Sequence, residues 1–528
     1  MPTAAETSIR LPADTNQALG IAQYAIDFLS DDQATRGEPS AAVLERTGLF
    51  HTDAVLCGLS ALALGTNAPN VLRNEAATYG SERGATVFGC SQPVHPEKAI
   101  VANAAAVREW DSNGTNFGYN PALGHTAGEF GHNDFYPVCI AAAQVTGASG
   151  EKALRAMVCL DEIRGRLAEV FSLKTYKVDH VVHGAIASAA VYGAMLGATA
   201  EQIESAIGMV VAHSIPFRAI RAGKQLSDSK GSSAAISTEA AVLAVRRSMA
   251  GFIGPKDIFR NPEAIFRIFE GPGQMFKAVK ATDANTAPGD ASPFELILSR
   301  AGDDFAVMGM HFKLGLYEHQ SAGALQAVLD LLTANPALLD DASGGAIAKI
   351  KILAYEPAFG IIGDPAKKDP RTRQSADHSM AYIVATLIRK ALETKSVGWT
   401  ELMLEPHDYS ADAIFHPLTR ELMAKIDFAH GGPDYDAKYP DGIPTSLVIT
   451  DNAGTEHDSG LVMYPGGHAR NTTADLHGIL AHKFRLLGGL AFEDPTPIID
   501  RFNNLSDKSA ADIVSLHDFD LTIRGDFE

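Results

Sequence analysis

Residues 180–197, HVVHGAIASAAVYGAMLG, are apolar almost all the way round a helical wheel. A helix with one apolar stripe can lie on a surface; one without a polar face has to be covered on every side. The stretch therefore commits the chain to a central helix wrapped in other elements, and its neighbours supply them. In ALRAMVCLDEIRGRLAEVFSL, residues Leu154, Met157, Val158, Ile163, Leu167, Val170 and Phe171 recur at helical spacing on one broad face. Gly197 stops the apolar helix. Thr199 then stands three residues before Gln202, a capping-box start for the helix EQIESAIGMVVAHS. SSAAISTEAAVLAVRRSMAGF reads as another buried helix, and the first half shows no strand alternation of note.

Beyond residue 288 the texture changes. IAKIKILAY, 347–355, alternates lysine with isoleucine as a half-buried strand does. TSLVITDNAGTEHDSGLVMYP, 445–465, reads as two strands joined by a turn containing Asn and Gly. Between them SADHSMAYIVATLIRKALE reads as one helix, and helical patterning returns in TADLHGILAHKFRLLGGL and SAADIVSL. The expected fold is mainly α: a large helical domain (residues 1–287), interrupted by a smaller α+β domain (288–472), with 473–528 returning to the helical part. A length of 528 residues also calls for more than one domain.

The formal net charge of −19 argues against nucleic acid and anionic membrane as partners. It also sets a condition: a pocket for an anion has to be locally positive inside a negative protein. Cys57, Cys90, Cys139 and Cys159 are scattered, which suits a reducing compartment and not a cysteine-held iron–sulfur cluster. The start, MPTAAETSIRLPADTNQ, lacks a signal-peptide core, and no window offers about 18 uncharged apolar residues. A cytoplasmic protein is expected. No GxGxxG after a strand, P-loop, HExxH or GxSxG occurs, so nucleotide chemistry and the familiar hydrolases lose support.

Five polar groups interrupt the apolar background. The loop REWDSNGTNFGYNPALGHTAGEFGHND, 108–134, holds Asp111, Thr115, His125, Glu129 and His132. DHVVH puts His180 and His183 on one face at the start of the apolar helix. RAIRAGKQLSDSKG carries Arg218, Arg221, Lys224 and Lys230; MHFKLGLYEHQ carries Lys313 and His319; DPRTRQSADHSMAY carries Arg371 and Arg373. Singly, each has a bland explanation as a cap, a core histidine or a solvated face. Together, basic side chains near helix ends with histidines and an aspartate suit a small polycarboxylate, because guanidinium forks grip carboxylates and histidine moves protons near neutrality. That reading reaches a lyase or isomerase of organic acids. A silent carboxylate-binding or assembly protein stays open beside it, as does a metal lyase using His125, His132, His180 and His183.

The order of these segments resembles the MmgE/PrpD family. The resemblance is carried by TVFGCSQPVHPEKAIVANAAAVREWDSNGT, EFGHND, DHVVHGAIASAAVYGAMLG, AGKQLSDSKGSSAAISTEAAVLA, HFKLGLYEHQ, YDAKYPDGIPTSLVI and YPGGHARN, and spans about residues 20–490. The loop between Thr115 and His132 is longer than in short members, and Asn133 stands where proline is common. The lysine loop is longer too, so Lys224 and Lys230 compete for the family lysine's place; the KxL pattern favours Lys224. The resemblance implies a helical domain with an α+β lid, a cleft between them, a homodimer, and chemistry on small di- or tricarboxylates with neither metal nor cofactor. The reaction it points to is dehydration of 2-methylcitrate to 2-methyl-cis-aconitate, with decarboxylation of cis-aconitate and epimerisation of an iminodisuccinate as relatives. Carried onto this chain, it makes Asp111, His132, His180, Lys224 and Lys313 the expected catalytic groups. Thr115, Arg218, Arg221, Lys230 and His319 are the expected substrate-binding groups, with Asp111 a candidate acid if burial raises its pKa.

Overall fold

A computed structural model describes residues 7–115, 118, 132–221, 226–268, 291–525 and 527, the side chains of Arg221, Ile361 and Ala366 excepted. The helices that build the first part are α1 (Gln17–Phe28), α2 (Ala41–Ala63), α3 (Asn67–Ala76), α4 (Pro96–Arg108), α5 (Tyr136–Thr146), α6 (Gly150–Val170), α7 (Val181–Met195), α8 (Ala200–His213), the single turn α9 (Asp228–Gly231) and α10 (Ser233–Met249). The apolar stretch becomes α7, in which every residue from 181 to 193 is buried. Helices α6, α8 and α10 pack against it, and α10 also covers α4. The late helix Leu476–Ala491 packs on α2, so the end of the chain returns to the helical body. The chain is thus mainly helical, as the sequence predicts.

Local signals explain several starts. Thr199 and Gln202 form the expected capping box at α8, each side chain bonded to the other's backbone N–H at 3.3 and 2.9 Å. At the centre of the body Gly184 allows a close approach: a Cβ there would lie 2.0 Å from the Phe135 ring. That contact seats the segment before α5, which carries His132, directly on α7.

The first half does contain strands, contrary to the sequence reading. β1 (Ser8–Leu11), β2 (Glu38–Pro39) and β3 (Gly80–Ala85) are short. β1 pairs antiparallel with β4 (Leu296–Ser299), and β2 pairs with β5 (Ala301–Gly302). Segments of two to six residues are too brief for alternation to show, and the partners of β1 and β2 lie hundreds of residues away.

The later sheet runs β7 (Ile426–His430), β6 (Ile347–Ala354), β8 (Thr445–Asp451), β9 (Glu456–Asp458). β6 is parallel to β7 and antiparallel to β8. Its Ile347, Ile350, Ile352 and Ala354 are buried while Lys349 and Lys351 face solvent, the alternation read from sequence. The β8–β9 turn is fastened by the Asp451 carboxylate, which accepts from the N–H of Ala453 and Thr455 at 2.9 and 2.8 Å. The single helix expected over 375–393 is broken: Arg373–Ala376 is one turn, and the long helix is Met380–Thr394, capped by Ser379. The break at 377–379 turns Asp377 and His378 away from the helix, and both reappear below. Among the described residues no single helix is long and apolar enough to cross a membrane.

Candidate active site

Five chain segments converge on a cleft that encloses about 610 Å³, part of it open to solvent. The loop that leaves α4 contributes Arg108, Asp111 and His132; the start of α7 contributes His180. Arg218 and, from α9, Lys230 form a second wall. The segment 313–320 supplies Lys313, Glu318, His319 and Gln320, and Lys367 and His378 close the far side. Five basic side chains therefore face two carboxyls among the described lining residues. The cleft is locally cationic inside a chain of net charge −19, which is the condition set above for an anion site.

A backbone bridge sets the register of this arrangement. Thr115 and His311 exchange N–H···O bonds of 3.0 and 2.8 Å, which lays the loop after α4 against residues 311–313. Lys313 Nζ then reaches Asp111, donating to its backbone oxygen at 2.7 Å and to its carboxylate. Asp111 itself adopts φ +52°, a left-handed conformation that Asp tolerates better than most residues. Arg108 donates to the same carboxylate, Lys230 Nζ lies 3.4 Å away and His378 Nε2 3.2 Å away. Beneath them Lys483 Nζ donates to the backbone oxygens of Ser112 and Lys313 at 2.7 and 2.8 Å and pairs with Asp53.

This company decides the state of Asp111. Burial pushes its pKa up, but Arg108, Lys313, Lys230 and His378 outweigh burial and hold it well below the usual carboxylate range. The expectation that Asp111 could serve as an acid is thereby corrected: it is a locked anion that gathers cations. Glu318 behaves oppositely. Burial and the nearby Asp111 charge raise it to about 7, against the pull of Lys313. Burial lowers Lys313 more than Asp111 raises it.

Three of the lining histidines, His132, His319 and His378, are kept neutral. His132 is pushed well below its ordinary value by burial and by the charges of Arg108 and Lys313. Its Nε2 lies 3.2 Å from the Arg108 guanidinium, which can only donate, so the ring proton sits on Nδ1. That atom has no hydrogen-bond partner among the described residues. Arg164 fixes the backbone by donating to the His132 oxygen at 2.5 Å. The His180 ring stands 5.5 Å from that of His132, with Nδ1 3.4 Å from the Asp179 carboxylate. His319 Nε2 pairs with His311 Nδ1 at 3.1 Å, and burial with the Lys313 charge keeps His319 neutral. His378 is lowered to about 4 by burial and Lys230, against Asp377 and Asp111.

Set beside the sequence expectations, Asp111, His132, His180, Lys313, Arg218, Lys230 and His319 all reach one cavity. Thr115 does not line it; its backbone makes the bridge to His311 instead. Lys224, Glu129 and His125 lie outside the described residues, as does the Arg221 side chain. Lys230, second choice for the loop lysine, is the one seen in the cleft. His183 Nε2 pairs with the Phe171 backbone oxygen at 2.9 Å, and no three-ligand metal cluster occurs among the described residues. Arg373 binds Glu109 behind the wall, and Arg371 pairs with Asp369 at the surface. Sequence reasoning missed Arg108, Glu318, Gln320, Lys367 and His378 as lining groups. Arg108 had a signal, three residues before Asp111 at the end of a helix; Glu318 adjoined His319; Lys367 had none.

Fold and site together define a mainly helical protein with an added α+β part and a cationic, histidine-bearing cleft whose charge complements a small polyanion. Residues 21–276 match the MmgE/PrpD N-terminal domain and residues 318–496 the MmgE/PrpD C-terminal domain; the chain belongs to the MmgE/PrpD family. It is similar to the 2-methylcitrate dehydratase of Escherichia coli K12, 25% identical over 352 residues, covering 66% of this chain and 65% of that enzyme. The probable 2-methylcitrate dehydratase of Saccharomyces cerevisiae is 24% identical over 452 residues, covering 81% and 78%. The mitochondrial 2-methylcitrate dehydratase of Yarrowia lipolytica is 25% identical over 481 residues, covering 88% and 82%.

Proposed function

We propose that this protein is a hydro-lyase that dehydrates 2-methylcitrate to 2-methyl-cis-aconitate. The observation that carries the reading is the cleft itself: five basic groups, beside four histidines, around a space for a small tricarboxylate. Relatives named for this reaction support it. Elimination needs a proton removed next to a carboxylate, and the charge that builds there stabilised; cations held on buried side chains such as Lys230 and Lys313 supply that stabilisation. Lys230, Lys313 and Arg218 are the proposed clamps. His180, whose Nδ1 lies 3.4 Å from the Asp179 carboxylate, is the proposed base, while His132 offers Nδ1–H to a substrate carboxylate. The Gln320 amide and His319 Nδ1 are also buried without partners among the described residues. Such atoms cost roughly 1–3 kcal/mol each unless something polar pairs with them, and substrate oxygens would do so.

The test is product analysis by NMR on chelator-treated protein given 2-methylcitrate, citrate and cis-aconitate separately. Formation of 2-methyl-cis-aconitate is expected. Loss of carbon dioxide from cis-aconitate with 2-methylcitrate untouched would replace the dehydratase by a decarboxylase; three unchanged substrates would overturn both.

A further inference from the structure

Resting on the dehydration reading, we propose that Glu318 is the acid that protonates the departing hydroxyl. The cleft has two carboxyls among its described lining residues, and geometry assigns them different work. Asp111 is saturated by Arg108, Lys313, Lys230 and His378 and has no proton to give. Glu318 forms no ion pair among the described residues; its Oε2 accepts from the Gln320 N–H at 2.8 Å. Its own backbone N–H donates to Asp377 at 2.9 Å, so the residue is held from both ends at the cleft edge. A carboxyl fixed through one oxygen keeps the other to carry and deliver a proton.

The charges around it favour the protonated form. Asp111 faces it across the cleft, with Lys313 and His319 on its own segment, Lys367 from the turn at 365–367, Tyr355 from the end of β6, and Asp377 behind. Burial and Asp111 outweigh the two lysines and set its pKa at about 7, so the acid form is present at neutral pH. A bound tricarboxylate adds negative charge and pushes the same way.

The step balances. A base takes the proton from the carbon bearing the methyl and carboxylate groups, and that C–H pair becomes the new π bond. The C–O bond breaks with its electron pair moving to oxygen, which takes the Glu318 proton and leaves as water. Glu318 is then a carboxylate that regains a proton from solvent. Lysine ammonium groups are the rival donors, but Lys313 is spent on Asp111 and Lys230 lies between Asp111 and His378.

The experiment compares wild type with Glu318→Gln, which keeps shape and the Gln320 contact but cannot donate as an acid. Three readouts are taken: water loss from 2-methylcitrate, solvent deuterium entry at the C–H position, and elimination from the analogue with fluorine replacing hydroxyl, whose fluoride leaves without a proton. Expected are a fall in kcat of about 100-fold or more, retained deuterium entry, and fluoride elimination within a few fold of wild type. Loss of the decline in kcat above about pH 7 should accompany them. If Glu318→Gln loses deuterium entry and fluoride elimination as well, Glu318 is structural or the base, and the proposal falls. If the variant dehydrates at the wild-type rate, it falls also. A wild type inert towards 2-methylcitrate would instead overturn the dehydratase reading on which the proposal stands.

Discussion

Two cavities in this molecule hold buried histidine pairs, and they differ in everything else. One is the candidate active site, with His132 and His180. The other, about 270 Å³, is lined by His51 and His517 among Phe88, Tyr136, Ile140 and Asn103. Burial lowers His51 to about 3 and His517 to about 4, much as it lowers His132 in the first cavity. The same desolvation keeps His132, His51 and His517 neutral, so a neutral buried histidine marks nothing by itself. What separates the two is company. The described lining of the second cavity includes no Arg, Lys, Asp or Glu, whereas the first gathers five basic groups about a carboxylate held ionised. Function is read from the charges; the histidines of the second cavity belong to packing.

The largest effect should come from removing a cation of the first cavity. Lys313→Met leaves Asp111 paired with Arg108 and Lys230, so the fold should hold. Its kcat/KM for 2-methylcitrate should drop by about 100- to 1000-fold, the usual cost of losing one preorganised electrostatic partner. Steady-state kinetics with circular dichroism as a folding control checks this. His132→Gln should cost about 100-fold in kcat/KM with an unchanged melting temperature; a wild-type rate would remove His132 from the site.

His517→Leu should do the reverse. His517 Nδ1 lies 2.9 Å from the Thr86 backbone oxygen and 3.1 Å from its hydroxyl, and the substitution strips both of a partner. Denaturant titration should show a loss of roughly 1–3 kcal/mol, while kcat/KM stays within a factor of about two. Activity lost in proportion to stability would show that the two cavities are not separable in this way.

Acid should weaken the fold through both cavities. His51, His378, His468 and His517 have folded-state values of about 3 to 4, below the ordinary 6.5, so the unfolded chain binds more protons as pH falls from 6.5. Stability is therefore full above pH 6.5 and declines below it, by up to about 1.4 kcal/mol per pH unit for each histidine. Melting curves between pH 7 and 4 read the slope, which should be shallower in His517→Leu. The smallest effect lies far from both cavities: Thr199→Ala removes the α8 capping box and should cost about 1 kcal/mol with kinetics untouched.

How much of this was readable in the sequence follows the range of the physics involved. Periods and caps are local, so α7, the α8 cap and the alternation of β6 could be read directly. The pairing of Ser8–Leu11 with residues 296–299 could not, since four-residue strands bonded across the chain leave no local trace. In the site, Asp111, His132, His180 and Lys313 were found by residue type and by family resemblance. Their charge states were not: the depressed Asp111 depends on cations from positions 108, 230, 313 and 378, which only folding brings together. His378 was hidden because the pattern over 375–393 reads as unbroken helix, while the structure breaks it at 377–379. Glu318 was overlooked beside His319, since nothing in LYEHQ says that its carboxyl is buried and lines the cleft edge.

The central claim is that the cationic cleft holds a tricarboxylate, and its most direct test is a crystal structure with the unreactive tricarballylate bound. Electron density is expected in the cleft, with carboxylates on Lys230, Lys313 and Arg218 and on His132 Nδ1. Density elsewhere on the protein, or an empty cleft at saturating ligand, would contradict it.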